Sequence, residues 1–306
     1  MFAVLGATGN AGGATIRALR QRGLPVRAIL RDKTKAGDFE ALGCEIAIAD
    51  LRDAAALAKA IAGAQAVQAI CPIGPQAQDP AAEMRAIIDA IADALVVAKP
   101  ARVLAISDYG AERSAGTGIT LAFHYLEARW RETPAKLTLL RSAEHMQNSA
   151  RLFKVVAATG ILPALHHPLT KMFPMVSARD VGIVAADLLA SSDTQDGPRI
   201  VHVEGPRRYT PLDVAKALSG AFGREIVARE LPRADWIAAL TRGGLSPAYA
   251  GLVAELYDAH NAGLIDVERG ATDIRRGATD FADLPMFQPT ALAALVGSAA
   301  PAPAKA

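Results

Sequence analysis

Cysteine is nearly missing: the 306 residues carry two, Cys44 and Cys71. Two thiols cannot build a disulfide framework, so the cross-linked secreted class is excluded; both suit a reducing compartment, as packing residues. Neither sign of charge is in excess, since 33 Lys and Arg against 31 Asp and Glu leave a formal +2. The basic residues are scattered and aromatics make up only 5%. The chain therefore lacks both the electrostatic stripe and the stacking platforms of a nucleic-acid binder. Apolar runs are short or broken by charge, and no membrane span is predicted. The first strand starts at Met1 with no secretory leader before it, so the expected location is cytoplasmic. No metal site is expected: His166 and His167 are adjacent, their side chains diverge, and no third ligand has recognisable spacing.

What is present begins at the first residue. The apolar run Met1-Phe2-Ala3-Val4-Leu5 reads as a strand and leads into Gly6-Ala7-Thr8-Gly9-Asn10-Ala11-Gly12. An amphipathic stretch with Ile16 and Leu19 follows, then a second strand, Val26-Arg27-Ala28-Ile29-Leu30. Such glycine spacing arises by chance among 25 glycines, but strand, loop and helix in succession do not. In that context Gly6 turns the chain, Gly9 clears space for a phosphate, and Gly12 brings the helix close to the strand. A pyrophosphate then sits at the positive end of the helix. The predicted contacts of a dinucleotide are Gly6, Thr8, Gly9, Asn10, Ala11 and Gly12.

The end of the second strand selects the cofactor. A chain built for NAD places Asp or Glu there to bind the ribose hydroxyls. This one has Arg31, with Lys33 and Lys35 just beyond. A guanidinium can bind a 2'-phosphate bidentately, so NADP is preferred over NAD. The alternative, ordinary solvated charges partly cancelled by Asp32, stays open on sequence alone.

Short apolar runs continue at 44–48, 66–70, 102–106 and 137–140, separated by helical stretches near 35–42, 53–62, 80–98 and 120–132. Strict alternation predicts an α/β fold: a Rossmann-type doubly wound parallel sheet with a smaller, mostly helical C-terminal lobe. Residues 1–150 form the nucleotide domain, to which 176–205 return; 151–175 and 206–288 form the lobe, and 289–306 a fraying tail. Thr210-Pro211-Leu212-Asp213 starts a helix, and 232–242 and 245–260 look helical.

Ligands of such sheets lie beyond the carboxyl ends of the strands. The residues there are Asp50 and Leu51, either an adenine contact or a helix cap; Cys71, Pro72 and Ile73, along the nicotinamide ribose; and two reaction-site walls, 107–110 and 141–148. The walls supply Ser107, Tyr109, His145 and Met146. Met146, Phe173 and Met175 are candidates for a flat apolar slot above the nicotinamide.

The succession Gly6 to Gly12, Arg31-Asp32, Ala49-Asp50-Leu51, Leu139-Leu140-Arg141, Met146-Gln147-Asn148, Val176 to Gly182 and His202 to Pro206 resembles the NmrA-like atypical short-chain dehydrogenases/reductases over most of residues 1–285. The resemblance implies an NADP-binding fold, in a family that mixes small-molecule reductases with non-catalytic regulators. Typical short-chain dehydrogenases use Tyr-x-x-x-Lys with a nearby Ser; here the comparable residues are Tyr125, Arg129 and Ser107, with Asp108 where relatives have a second Ser. Arg129, one turn from Tyr125, can favour its phenolate but is not a compact ammonium, and the family's helix Glu is matched by Glu127. Tyr125 and Ser107 are the catalytic candidates, and Tyr109, His145, Met146 and Phe173 the substrate contacts. The reading is an NADPH-dependent oxidoreductase passing hydride to a small conjugated carbonyl or quinone. Its alternatives are a redox-sensing regulator acting through a protein partner and a lyase or isomerase that retains NADP. The oligomeric state is open.

Overall fold

The computed structural model describes residues 1–191 and 197–296. In chain order the first half runs β1 (Phe2–Val4), α1 (Asn10–Gln21), β2 (Val26–Leu30), α2 (Gly37–Ala41), β3 (Glu45–Ile48), α3 (Ala54–Ile61), β4 (Ala66–Ala69), α4 (Pro80–Ala98), β5 (Arg102–Asp108), α5 (Leu121–Arg131) and β6 (Lys136–Ser142). The second half runs β7 (Glu144–His145), α6 (Phe153–Thr159), β8 (Ile161–Ala164), β9 (Met175–Val176), α7 (Ala178–Ala190), β10 (Arg199–Glu204), α8 (Pro211–Phe222), β11 (Val227–Glu230), α9 (Trp236–Arg242), α10 (Pro247–Asn261), β12 (Ile274–Arg276) and α11 (Pro289–Val296).

The main sheet has 8 strands in the order β12-β10-β6-β5-β4-β1-β2-β3, every neighbour parallel. The order reverses beside β1, which pairs with β2 on one side and β4 on the other, so a crevice opens where the chain leaves β1. Parallel strands need both faces covered. One core joins Val4, Ile16, Leu19, Val181 and Leu189 under α1 and α7; the other joins Leu5, Leu57, Ile88, Leu95, Leu126 and Trp130 under α3, α4 and α5. Each such side chain contributes about 1.5–3 kcal/mol when fully buried. The helices start where the sequence supplies caps. Asp53 accepts from Ala56 N, Asp79 precedes Pro80, and Thr210 with Asp213 closes a capping box around Pro211. Helices α1 and α7 cross so closely that a Cβ on Gly182 would lie 2.3 Å from Ala11 O, and Thr15 Oγ1 donates to Gly182 O at 3.1 Å.

The lobe contains more β structure than its sequence suggests. Strands β8 and β11 pair in parallel, and Met146, Phe153, Phe173, Tyr209, Leu218, Phe222 and Phe281 bury between them and α6 and α8. Two boundaries shift. Ile274–Arg276, within the stretch assigned to the lobe, joins the main sheet as its edge strand, fastened by ion pairs Arg276–Glu204 and Arg199–Asp273. Residues Pro289–Val296, within the expected tail, form α11 and bury Leu292 and Val296 in the lobe core. The remaining tail, 297–306, lies outside the described residues. Cys44 stands just ahead of β3, not in it. Among the described residues no helix is long and apolar enough to cross a membrane.

Candidate active site

The glycine loop is shaped by close approach. Gly6 has φ +69°, and a Cβ there would meet Ile70 Cγ2 at 2.5 Å; Gly9 N donates to Gly6 O at 2.9 Å, closing the turn. A Cβ on Gly12 would lie 2.3 Å from Gly6 O, so what this glycine admits is the loop itself against the helix. Helix α1 follows Gly9 with no side-chain cap and no acid in its first turn. Its first N–H groups and positive dipole end are therefore unspent. Thr8, Gly9 and Asn10 are exposed there, whereas Ala11 is buried and offers only its backbone. These residues fit a dinucleotide pyrophosphate.

Beyond the loop, a groove is lined by Gly6, Thr8, Arg31, Asp50, Leu51, Pro72 and Ile73. Lys33 is not among them. It sits on an exposed one-turn helix fixed by Asp32, which accepts from Thr34 N at 2.9 Å and Thr34 Oγ1 at 2.7 Å. Asp50 is not the cap of α3, a role taken by Asp53. Its Oδ1 accepts from Arg52 Nε at 3.3 Å and Arg52 N at 2.9 Å, and the Arg52 hydrogen bond holds its carboxyl below the usual range. Arg52, a second guanidinium on the groove, went unread. It comes four residues past the end of β3, whereas Arg31 directly follows β2, so no strand-end position signalled it.

Ile73 also lines the neighbouring cleft, together with Cys71, Ser107, Asp108, Glu144, His145, Asn148 and Arg151 and, from α10, Tyr249, Tyr257 and His260. Of the candidates brought there, Ser107 is already engaged. It is 2% exposed and donates to Glu127 Oε1 at 2.7 Å, while Glu127 also takes Arg141 Nε and Nη2 at 2.8 Å each. Cys71 is a buried thiol that burial pushes up to about 12. His145 Nε2 lies 3.2 Å from Ser142 Oγ, and burial lowers the imidazole to about 4, so it is neutral at pH 7.

Three expected site residues are elsewhere. Tyr125 faces α4, where its hydroxyl donates to Asp89 Oδ1 at 2.7 Å and Arg85 lies 4.0 Å above its ring. Arg129 is drawn to Asp89 and Asp93, and the Asp89 hydrogen bond raises the phenol. The phenolate is therefore disfavoured, and the tyrosine lines a separate depression with Ala81 and Leu252. Tyr109 is 1% exposed, packed edge-on to His202, and burial raises its phenol. Met146 is fully buried in the lobe core. A helix or strand-end position specifies which element carries a residue, whereas Tyr125 is held away from the cleft by Asp89 and Arg85, and Tyr109 and Met146 by burial in apolar cores.

Asp108 does line the cleft. Its Oδ2 accepts from Thr120 Oγ1 at 2.7 Å, and burial, against that bond, pushes the carboxyl up to about 7. Glu144 Oε2 meets His166 Nε2 at 3.0 Å and its Oε1 accepts from Tyr257 at 2.8 Å; burial opposes ionisation, but His166 prevails and holds the carboxylate low. His260 is pushed down to about 3 by burial and is neutral at pH 7. The cleft opens past Glu144 and Arg151 into an apolar pocket of the lobe lined by Leu162, Leu165, Phe173, Met175, Val214 and Leu240. There Phe173 stacks on His166 with ring centroids 3.5 Å apart. Residues from α10 left no spacing signal in the sequence, since they meet Glu144 across more than a hundred positions.

Residues 1–262 match the model of the NmrA-like family. The chain is 28% identical over 263 residues to an NAD(P)H azoreductase of Xenophilus azovorans, covering 84% of this chain and 86% of that one. An NADPH-dependent quinone oxidoreductase from Escherichia coli, complexed with NADPH, superposes with TM-score 0.75 at 22% identity, over 92% of this chain and 98% of that one. A triphenylmethane reductase of Citrobacter sp., complexed with NADP(H), gives 0.74 at 21%, over 97% and 96%. At these identities the solved structures establish a common fold.

Proposed function

The chain belongs to the NmrA-like family, and from that premise we propose that it is an NADPH-dependent reductase passing hydride to a small conjugated acceptor, a quinone or related compound. The observation that carries this reading is the meeting of groove and cleft at Ile73, on the carboxyl edge of one sheet. A dinucleotide held at the groove end by Arg31 and at its pyrophosphate by the α1 terminus is directed toward the cleft. The names of the azoreductase and quinone oxidoreductase relatives support the same chemistry, and azo and quinone groups are both flat and conjugated.

Bound NADPH would supply the hydride; reducing a quinone to a quinol then takes one further proton. Asp108 is the residue placed to hold it, with a carboxyl that is half protonated at about pH 7. His145 and His260, kept neutral by burial, leave the cleft without a competing cationic donor on those rings. Glu127 fixes the floor by gripping Ser107 and Arg141, and the apolar lobe pocket excludes water from an aromatic acceptor. The regulator reading loses its two supports: Arg129 is absorbed in packing of α5 on α4, and Asp108 is a usable acid. A cytoplasmic location belongs to this reading, consistent with two buried free thiols.

The test is NADPH oxidation against quinones and azo compounds, beside titrations of NADPH and NADH. Turnover with NADPH preferred is expected; tight NADPH binding without turnover on any acceptor would overturn the enzyme and restore the sensor.

A further inference from the structure

Most arginines of this protein are exposed or have a partner. Arg141 is buried among Glu112, Glu127 and Glu268, Arg208 pairs with Asp266, and Arg129 with Asp89 and Asp93. Those with no hydrogen bond, ion pair or ring contact among the described residues are Arg17, Arg31, Arg151, Arg179, Arg229, Arg242 and Arg269, and all but Arg151 are exposed. Arg151 is half-buried on the stretch between His145 and α6, in the wall shared by the cleft and the apolar pocket.

An unpaired guanidinium withdrawn from water is unfavourable unless something completes it. The acids on the same walls do not. Glu144 is taken up by His166 and Tyr257, and Asp108 by Thr120. The remaining titratable neighbours, His145, His260, Tyr249 and Tyr257, bring no negative charge near neutral pH. His166, on the pocket wall, also leaves Nδ1 buried without a protein partner. The arrangement is an apolar, aromatic-lined pocket with a lone cation at its mouth, next to the point where hydride is delivered.

We propose that Arg151 anchors an oxyanion of the acceptor, so that the preferred substrates are aromatic quinones or azo compounds carrying a sulfonate or carboxylate. This rests on the reductase reading for the words "acceptor" and "substrate", but not for the binding site itself. The aromatic body occupies the lobe pocket and the acidic group meets the guanidinium, whose fork suits a planar carboxylate or two sulfonate oxygens.

Two measurements test it separately. In the first, NADP-loaded protein is titrated with naphthalene sulfonate and with its neutral sulfonamide. In the second, KM is compared for naphthoquinone sulfonate and unsubstituted naphthoquinone. The acidic member of each pair should be favoured about tenfold or more, as for a charge-assisted hydrogen bond. Arg151→Gln should bring both ratios close to unity, and Arg151→Lys should restore part of them. Ratios unchanged in Arg151→Gln, or no discrimination by the wild type, would overturn the proposal. So would equal losses on both members of a pair with a lowered Tm, the mark of a structural role. If no acceptor turns over, the reductase reading fails, and the titration alone decides whether Arg151 binds the anion.

Discussion

The nucleotide groove and the cleft beside it open on the same edge of one sheet, yet they are built from opposite materials. The groove is short-range and wet. The strand ends at Val4, Leu30 and Ile48 are each followed within four residues by Thr8, Arg31 and Asp50, which line the groove. The cleft is long-range and more deeply buried. Ser107 donates to Glu127, 20 residues on, and Tyr257 to Glu144, 113 residues back. In the groove the charges lie at the surface, and Asp50 is held below its usual range by its hydrogen bond to Arg52. In the cleft burial decides which acid is protonated and which imidazole neutral. Recognition of a constant cofactor needs only backbone and a cation, while handling a proton needs a closed environment.

Substitutions separate the two regions by the kind of damage they do. The largest effect is expected under the cleft. Glu127→Ala would leave Arg141, 2% exposed, facing a vacated site, and should cost about 3–5 kcal/mol in denaturant unfolding. A loss below about 1 kcal/mol, the range of an exposed pair, would show that Glu112 and Glu268 suffice. At the groove, Arg31→Ala should leave folding untouched while weakening NADPH by about 10–100-fold, the value of a charge-assisted contact, with NADH unchanged. Equal losses for both nucleotides would remove the phosphate clamp. Gly12→Ala combines both kinds of damage. Overpacking against Gly6 O should cost about 1–3 kcal/mol and displace the loop, lowering affinity for NADPH and NADH alike.

A pH profile sharpens the contrast further. Asp108 titrates at about 7 in the fold against 3.8 ordinarily, so the protonated acid is depleted as pH rises through 7 and kcat/KM should fall there. Because the folded value is the higher one, the stability associated with this group is full below 3.8 and is lost as pH rises to about 7. Asp108→Asn should remove both dependences; an unchanged alkaline limb would exclude Asp108 as the proton source. Tyr125→Phe should do least. It removes a hydrogen bond to Asp89 worth about 0.5–1.5 kcal/mol and should change kcat/KM by less than about twofold. A larger catalytic loss would return the tyrosine to the reaction.

Much of this was readable before folding was considered. The alternation of strands and helices announced the sheet, and the caps Asp53, Asp79 and Thr210 marked where α3, α4 and α8 begin. Arg31 was legible because a βα unit places the end of β2 beside the loop after β1 whatever the rest of the chain does. Lys33 stands on the exposed turn that Asp32 and Thr34 form, outside the groove lining, and Arg52 was overlooked because it comes four residues past β3, beyond the strand-end position that singles out Arg31. Tyr125, Tyr109 and Met146 stand on the expected segments but do not line the cleft. A single residue on a helix or strand end carries no information about which of two apolar surfaces it will join.

By itself, then, the sequence determined the fold class and the elements that carry the candidate nucleotide groove, because both follow from periodicity and from contacts between neighbours along the chain. Only the tertiary structure decided the reaction end. Packing α10 and the lobe over β5 and β6 enclosed Asp108, paired Glu144 with His166, engaged Ser107 and left Arg151 without a partner. Burial and pairing are properties of what a residue meets across the fold, and they set the charge state on which the chemistry depends.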